Sequence, residues 1–466
     1  MHIALVGLMV WGTAAAARGE DLSGLDRGHR ILIERGFQLQ ATTFGTEDPN
    51  WWTNGDANGT YWEQSNFTTP HFWVRTPAQQ NISIGDPWAS ALTNLGSHVR
   101  HREGLVSWQW RDEEDLDDPA IRAWVKGWFE LERPRLPNTL LYTNEGPLQV
   151  SDANMRLYMT ESQPDMLHLD EYPFRDDTYF NGSPWTLYFQ LSRYRELALG
   201  GHDGTRTTPI PYGTYVQTFI KTPTGDWWHP SESEARMNQF TAWTMGYKMI
   251  NTWTFDDTPE GPNVLDSIFF DAPVNSTANP TPEFFWYAEL NRQALNLGDS
   301  LVRLLSTDLR IVQGEKWPGI FWPDWMDEWD PNADPYITSI SAENLGTAND
   351  GDAGDVLVGY FEPLLEQFDG PVFEDQTYFM ITNGLHDPNT SAADATQRIT
   401  VDFDFGGSGI TSLLKLSRDT GLAEVVALQA LGGHSIGWCM TWKGERVTCL
   451  SSLTARRSCR DRSRVM

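Results

Sequence analysis

A chain of 466 residues, 40% hydrophobic and 12% aromatic, is long enough for two domains and apolar enough to bury a core, which excludes wholesale disorder. Its formal net charge of -29 excludes nucleic acid and anionic membrane surfaces as partners and suits a neutral ligand better than a polyanionic one. The 22 Trp residues point the same way, since indole faces stack on sugar rings, although most large aromatics serve a core.

Met1 to Ala17 reads as a secretory signal, with an apolar run from Ile3 to Trp11 and small residues from Ala14 to Ala17. Six Asn-x-Ser/Thr sites, at Asn58, Asn66, Asn81, Asn181, Asn275 and Asn389, fit a secreted glycoprotein. No other stretch is long and apolar enough to insert in a membrane. Cys439, Cys449 and Cys459 all fall in the last 28 residues, so the main body has neither a disulfide nor a cysteine metal site.

Leu22 to Arg35 predicts a short helix and Phe37 to Phe44 a strand. Residues 45–104, rich in Trp, Asn, Thr, Gly and Pro, read as a long surface insertion. Its aromatics, Trp51, Trp52, Trp62, Phe72 and Trp73, form either a substrate platform or a satellite core. Leu105, Val106, Trp108 and Trp110 then make a strand that ends in Asp112, Glu113 and Glu114. Asp118-Pro119 is an N-cap followed by Pro at the first helical position. Ile121, Trp124, Trp128 and Leu131 continue a helix over 119–132. Asp115, Asp117 and Asp118 belong to its N-terminus, whereas Asp112 and Glu113 sit at the strand tip.

Thr139 to Glu145 is the next strand, ending in Asn144-Glu145, and Ser151-Asp152 opens a helix. Met166, Leu167 and Leu169 lead into Asp170, Glu171 and Tyr172. A helix over 185–199, a strand over 210–219 with polar Gln217, and a capping box at Ser231–Glu234 follow. Met249 to Phe255 is a strand ending in Asp256-Asp257, and Thr281-Pro282 starts a long helix. Strands alternating with helices predict an α/β fold, a (β/α)8 TIM-type barrel over 18–310. Six strands are legible where a barrel needs eight, so it reads as incomplete; a missing strand would lie in the insertion or in the N-terminal segment.

Residues 311–345 read as a linker. Residues 346–433 read as a small antiparallel β-sandwich, with Ile399, Val401, Phe403 and Phe405 alternating against Thr400, Asp402 and Asp404. Residues 434–466 form an atypical basic tail that looks foreign to the fold, with seven Lys/Arg against two Asp/Glu from 443 onward.

The strand-tip Asp112-Glu113, the Asn144-Glu145 pair and the segment PDMLHLDEYPF over 164–174 resemble secreted TIM-barrel glycoside hydrolases. The nearest resemblance is to the family 42 β-galactosidase-like group, whose barrels carry an appended β-domain. It spans roughly residues 37–430 and implies hydrolysis of a glycosidic bond by two carboxylates on the C-terminal rim. It also implies an acid/base Glu after an Asn at the end of the fourth strand, a pattern Asn144-Glu145 matches. The nucleophile Glu that it implies at the end of the seventh strand has no counterpart, because Met249 to Phe255 ends in Asp256-Asp257.

Read on their own chemistry, the residues make Glu113 the proton donor, its carboxyl raised by neighbouring Asp112, Glu114 and Trp110. Asp170 is then the nucleophile or the base for water, and Glu145 competes for either role. Asp112, Glu171, Tyr172, Gln217, Trp253 and Asp256 are candidate substrate-binding residues, although any such acid serves equally well as a cap or an ion-pair partner. There is no Gly-rich phosphate loop, no His-x-x-x-His and no Gly-x-Ser-x-Gly, so neither a cofactor nor a metal is expected. The expectation is a secreted glycosidase acting on a neutral oligo- or polysaccharide. The alternative is a non-catalytic carbohydrate-binding or wall-associated glycoprotein on a decayed barrel.

Overall fold

The computed structural model describes residues 21–44, 57–80, 82–92, 95, 98–175, 184–221, 227–257, 265–272, 278–315, 325–332, 334–368, 378–406, 412–432, 435–442 and 450–452. The signal segment, Trp51, Trp52, Asn81, Asn181, Asn275, Cys449 and Cys459 lie outside them. Eight parallel strands close into a barrel: β1 (Gln38–Thr43), β2 (Thr69–Phe72), β3 (Trp88–Ser90), β4 (Leu105–Asp112), β5 (Leu140–Glu145), β6 (Leu167–Asp170), β7 (Tyr212–Gln217) and β8 (Met249–Trp253). Closure runs through β8 against β1, with Gln38 opposite Met249 and Ala41 opposite Thr252.

Residues 45–104 are therefore not an insertion. They hold β2, β3 and the helix α2 (Ala57–Ser65), and they supply both strands that the sequence left unaccounted for. These strands are only four and three residues long, and β2 carries Pro70, so no alternation could announce them.

Parallel strands need crossovers, and the capping residues set where the helices begin. Around α1 (Arg27–Arg35) and α2, the barrel is wrapped by α3 (Pro119–Glu132), α4 (Asp152–Ser162), α5 (Trp185–Leu199), α6 (Glu232–Thr244) and α7 (Pro282–Leu301). Asp118 caps α3 by accepting from Ala120 N at 2.8 Å. Ser151 caps α4, Thr281 caps α7, and Ser231 with Glu234 closes a full capping box on α6.

After α7 the described residues build sheets of seven and four strands. The strand Val356–Pro363 in the larger sheet is buried on both faces. Leu357 and Phe361 join the barrel core, while Val356, Val358 and Tyr360 pack with Ile399, Val401 and Phe403 of the smaller sheet.

The reading of 311–345 as a linker needs correction: Leu304–Val312 pairs along Val356–Pro363, and Ile337–Asn344 pairs along Gln397–Asp404. The reading of 434–466 as foreign also needs correction in its first part. Ser435–Trp442 pairs residue for residue with Gln397–Asp404, and Leu450–Ser452 joins the larger sheet. Ile436, Trp438, Met440 and Trp442 alternate with Ser435, Gly437, Cys439 and Thr441, a strand pattern that the basic composition beyond it obscured. No helix among the described residues is long and apolar enough to cross a membrane.

The barrel and the larger sheet meet without a gap at Gly359. A Cβ there would lie 2.0 Å from the Thr244 carbonyl oxygen at the end of α6. Gly359→Ala is expected to cost about 1–3 kcal/mol by forcing the sheet off the helix, read as a lower urea midpoint.

Candidate active site

In a parallel barrel the chemistry gathers where the strands end. On β4, Ser107 and Gln109 point inward. Ser107 Oγ accepts from Gln40 Nε2 at 3.0 Å, and Gln109 Oε1 accepts from the Tyr215 hydroxyl at 2.8 Å. Trp108 and Trp110 point outward onto Trp128 of α3, with ring centroids 4.4 and 4.6 Å away.

Continued alternation would turn Arg111 inward and Asp112 outward. A bulge prevents this, because Gln109 lies opposite Tyr142 while Asp112 lies opposite Asn144, giving β4 one extra residue. Arg111 adopts φ 85° and Glu113 φ 51°. The Arg111 guanidinium consequently leaves for the outer face, 4.5 Å from the Trp124 ring centroid. Asp112 turns into the mouth of the barrel, where its Oδ1 accepts from Asn144 Nδ2 at 2.9 Å and Gln109 Nε2 at 3.0 Å. Asp112 touches solvent at the strand tip, yet the protein around its carboxyl pushes its pKa up to about 6. The two amides oppose that shift, and the charges of Glu113 and Glu114 add to it.

On β6, His168 and Asp170 share the inward face. The Asp170 Oδ1 is buried without a hydrogen-bond partner. Burial, then the charges of Asp112, Glu113 and Glu171, hold the Asp170 carboxyl well above the usual carboxylate range. Tyr172 follows, edge-on to Phe219 at 5.0 Å, and burial beside Asp170 keeps its phenol protonated. The structure thus brings Asp112, Glu113, Asp170 and Tyr172 to one rim.

The floor beneath them is polar, where barrels of this kind ordinarily hold branched aliphatic side chains. His168 Nδ1 lies 2.8 Å from Asn144 Oδ1, and His71 Nδ1 lies 3.2 Å from both the Thr42 and the Tyr215 hydroxyls. Burial holds His71 neutral, with its pKa pushed down to about 3. To one side stands an aromatic wall. Trp253 lies 4.6 Å from Trp73, 5.5 Å from Phe44 and 5.6 Å from Tyr215, and both tryptophans are partly exposed. The partly exposed faces of Trp73 and Trp253 leave an apolar surface on that side.

Other candidates lie elsewhere. Asn144 occupies the inward position at the end of β5, so alternation puts Glu145 on the face of Thr143, whose hydroxyl donates to Tyr158 of α4 at 2.9 Å. Glu145 is 1% exposed and neither carboxyl oxygen has a well-formed hydrogen bond. Burial drives its pKa well up, with the charges of Asp112, Glu114 and Asp170 adding to the shift, and its own charge is felt by Tyr158 and Tyr194 in the helical layer.

Gln217 spends its amide on backbone. It accepts from Phe174 N and donates to the carbonyls of Phe174 and Trp228, each at 3.1 Å, which ties down the loop after β6. Asp256 likewise fastens β8 to β1, accepting from the Thr43 hydroxyl and Phe44 N at 2.8 Å each. Asp256→Ala is expected to cost about 1–3 kcal/mol in a urea titration by stranding those donors. Glu171 is buried, and its role toward the rim is the charge it adds to Asp170. Glu113 stands exposed at the tip, its backbone N–H donating to Asn144 O at 2.7 Å.

The residues that sequence reasoning missed are Gln109, His168, His71 and Tyr215. The available signal was a polar or aromatic residue at every second strand position: Ser107 and Gln109, Tyr142 and Asn144, His168 and Asp170, Asn251 and Trp253. No group of three or more His, Cys, Asp or Glu arranged to hold a metal ion occurs among the described residues.

No protein-family model matches the chain, and no curated protein matches it by sequence. Among solved structures it is similar to the endo-β-1,4-mannanase from Thermotoga petrophila, at 9% identity and a TM-score of 0.37, over 88% of this chain and 92% of the mannanase. An arabinofuranosidase is similar at 8% identity and a TM-score of 0.37, over 82% of this chain and 76% of that one. A β-glucuronidase from an uncultured Clostridium sp. is similar at 12% identity and a TM-score of 0.35, over 55% of this chain and 50% of its own length. The chain therefore spans half the length of that glucuronidase. At these levels of similarity the barrel assignment rests on the strand pairing itself, which makes the chain a TIM-type (β/α)8 protein with added sheets.

Proposed function

We propose that the chain hydrolyses O-glycosidic bonds of a neutral oligo- or polysaccharide, with Asp170 as proton donor and Asp112 as its ionised partner. The observation that carries this reading is a pair of inward strand-end carboxyls in opposite hydrogen-bond environments. Asp112 accepts from two amides through Oδ1, which favours its charged form, whereas Asp170 has a buried oxygen with no donor, which favours its neutral form. The role of donor thus moves from Glu113 to Asp170.

Between about pH 6 and the raised pKa of Asp170, the pair holds one proton, and that proton sits on Asp170. Asp170 gives it to the departing glycosidic oxygen as the C–O bond breaks. Asp112 Oδ2, which makes no hydrogen bond to the described residues, attacks the anomeric carbon or takes the proton of an attacking water. Trp73 and Trp253 stack the sugar, and the Tyr172 phenol donates to a ring hydroxyl. A neutral substrate fits the net charge of -29 and the departure of Arg111 from the mouth. Secretion, glycosylation and kinship with the family 42 group belong to this proposal and rest on the sequence features given above; Asn389 stands exposed in a turn.

The test is a panel of aryl glycosides and plant and fungal polysaccharides. Turnover of one substrate by the purified chain supports the reading. Binding of sugars with no turnover favours the non-catalytic alternative.

A further inference from the structure

We infer that His168 is a positioning residue for Asp112, acting through the side-chain amide of Asn144. The inference rests on the proposed roles of Asp112 and Asp170. Three contacts carry it: His168 Nδ1 to Asn144 Oδ1 at 2.8 Å, Asn144 Nδ2 to Asp112 Oδ1 at 2.9 Å, and Gln109 Nε2 to the same oxygen at 3.0 Å.

An amide can sit either way round. Turned over, Asn144 would present its oxygen to a carboxylate oxygen, acceptor against acceptor. The Asp112 carboxylate favours the amide with its nitrogen turned toward it, and the amide oxygen then meets the imidazole. A neutral ring that meets an amide oxygen through Nδ1 carries its proton there and so locks the amide in that orientation. Burial and the nearby His71 keep His168 neutral, against a side-chain contact with Asn251. The ring itself cannot turn freely: Tyr142 lies 5.1 Å away and Tyr215 5.0 Å away, edge-on. Gly213 makes the room for it, since a Cβ there would approach His168 Cδ2 to 2.8 Å. A ring protonated at Nδ1 thus holds the amide in the orientation that steadies the charged form of Asp112.

The groups that face Asp112 from the surrounding elements are Glu113 and Glu114 beyond β4, Glu145 and Tyr142 of β5, Asp170 and Tyr172 at the end of β6, and Tyr215 of β7. The three phenols stay neutral across the working range, and the carboxyls are untouched by a change at His168. A shift in Asp112 after such a change therefore reports the relay.

The test compares the parent with His168→Leu, which removes the donor, and His168→Gln, which restores an N–H. Two readouts are taken. The first is the pH dependence of the stability difference between each chain and its Asp112→Asn derivative, which needs no substrate. Its midpoint follows the folded-state pKa of Asp112. The second is the acid limb of kcat/KM. In His168→Leu both are expected to move up by about one pH unit, the scale of one lost hydrogen bond to a charged group. His168→Gln is expected to return both toward the parental value. Asn144→Ala should give the same upward shift, with no further shift on adding His168→Leu. It also stands in should His168→Leu not fold.

An unmoved midpoint in His168→Leu, an equal shift in the Leu and Gln variants, or a full second shift in the Asn144→Ala background overturns the inference. A shifted stability midpoint in a chain that turns over no glycoside keeps the relay and removes the proposed function.

Discussion

Asp170→Asn is expected to lower kcat by about 10²–10⁴-fold on substrates whose leaving group is a sugar or an alkyl alcohol, the range of a lost general acid. On dinitrophenyl glycosides, whose leaving group departs without a proton, the loss should shrink to a few-fold. Asp112→Asn should instead depress both substrate types, because the ionised partner is needed whatever leaves. The acid limb of the parental pH profile belongs to Asp112, so rate rises with pH through about 6. The alkaline limb belongs to Asp170, whose burial and like-charged neighbours place it higher. Loss of the alkaline limb in Asp170→Asn, with the acid limb kept, is the matching signature. An Asp170→Asn chain that treats both leaving groups alike contradicts its role as donor.

Glu145→Met is expected to stabilise the folded chain by about 1–3 kcal/mol at pH 7, by removing a buried carboxyl whose oxygens have no well-formed hydrogen bond. The sign follows from linkage. The folded-state pKa of Glu145 is raised, so the unfolded chain gives up its proton first as pH rises. Stability from this group is complete below the unfolded value of about 4.3 and is lost as pH climbs toward the raised one. The parent should therefore weaken between pH 5 and pH 8 more than Glu145→Met does, read as urea midpoints at the two values. A Met variant that is less stable than the parent at both pH values, or that folds and loses turnover, contradicts the placement of Glu145 in the helical layer and restores it as a candidate for the chemistry.

Four of the helices were legible from their own punctuation. Asp118-Pro119, Ser151, Ser231 with Glu234, and Thr281-Pro282 each stand where a helix begins. Six strands were legible from their apolar runs. β2 and β3 were not, being too short for a period, and the polar interior of this barrel hides the buried character that parallel strands usually show.

The site was legible as a region and not as a set of roles. That β4 and β6 deliver acids to one rim follows from strand order alone. Which acid faces inward depends on the bulge between Gln109 and Asp112, which inverts the alternation, and nothing local in Trp-Arg-Asp-Glu announces an extra residue. Glu113 therefore reads in sequence as the acid facing the mouth, where the inward side chain is Asp112. A related ambiguity holds at the end of β5: of two adjacent polar residues at a strand end only one faces the barrel, and here it is Asn144. Gln217 and Asp256 looked free in the sequence because their backbone partners lie in other segments, Phe174 and Trp228 for the first and Phe44 for the second.

The most direct measurement is turnover of one substrate from the panel by the parent, Asp112→Asn, Asp170→Asn, Glu113→Gln and Glu145→Gln, side by side at pH 7. The two Asp variants are expected to lose at least about 10²-fold in kcat, while Glu113→Gln and Glu145→Gln stay within several-fold of the parent. Abolition by Glu113→Gln or Glu145→Gln, with either Asp variant near parental, contradicts the assignment of Asp112 and Asp170 as the working pair.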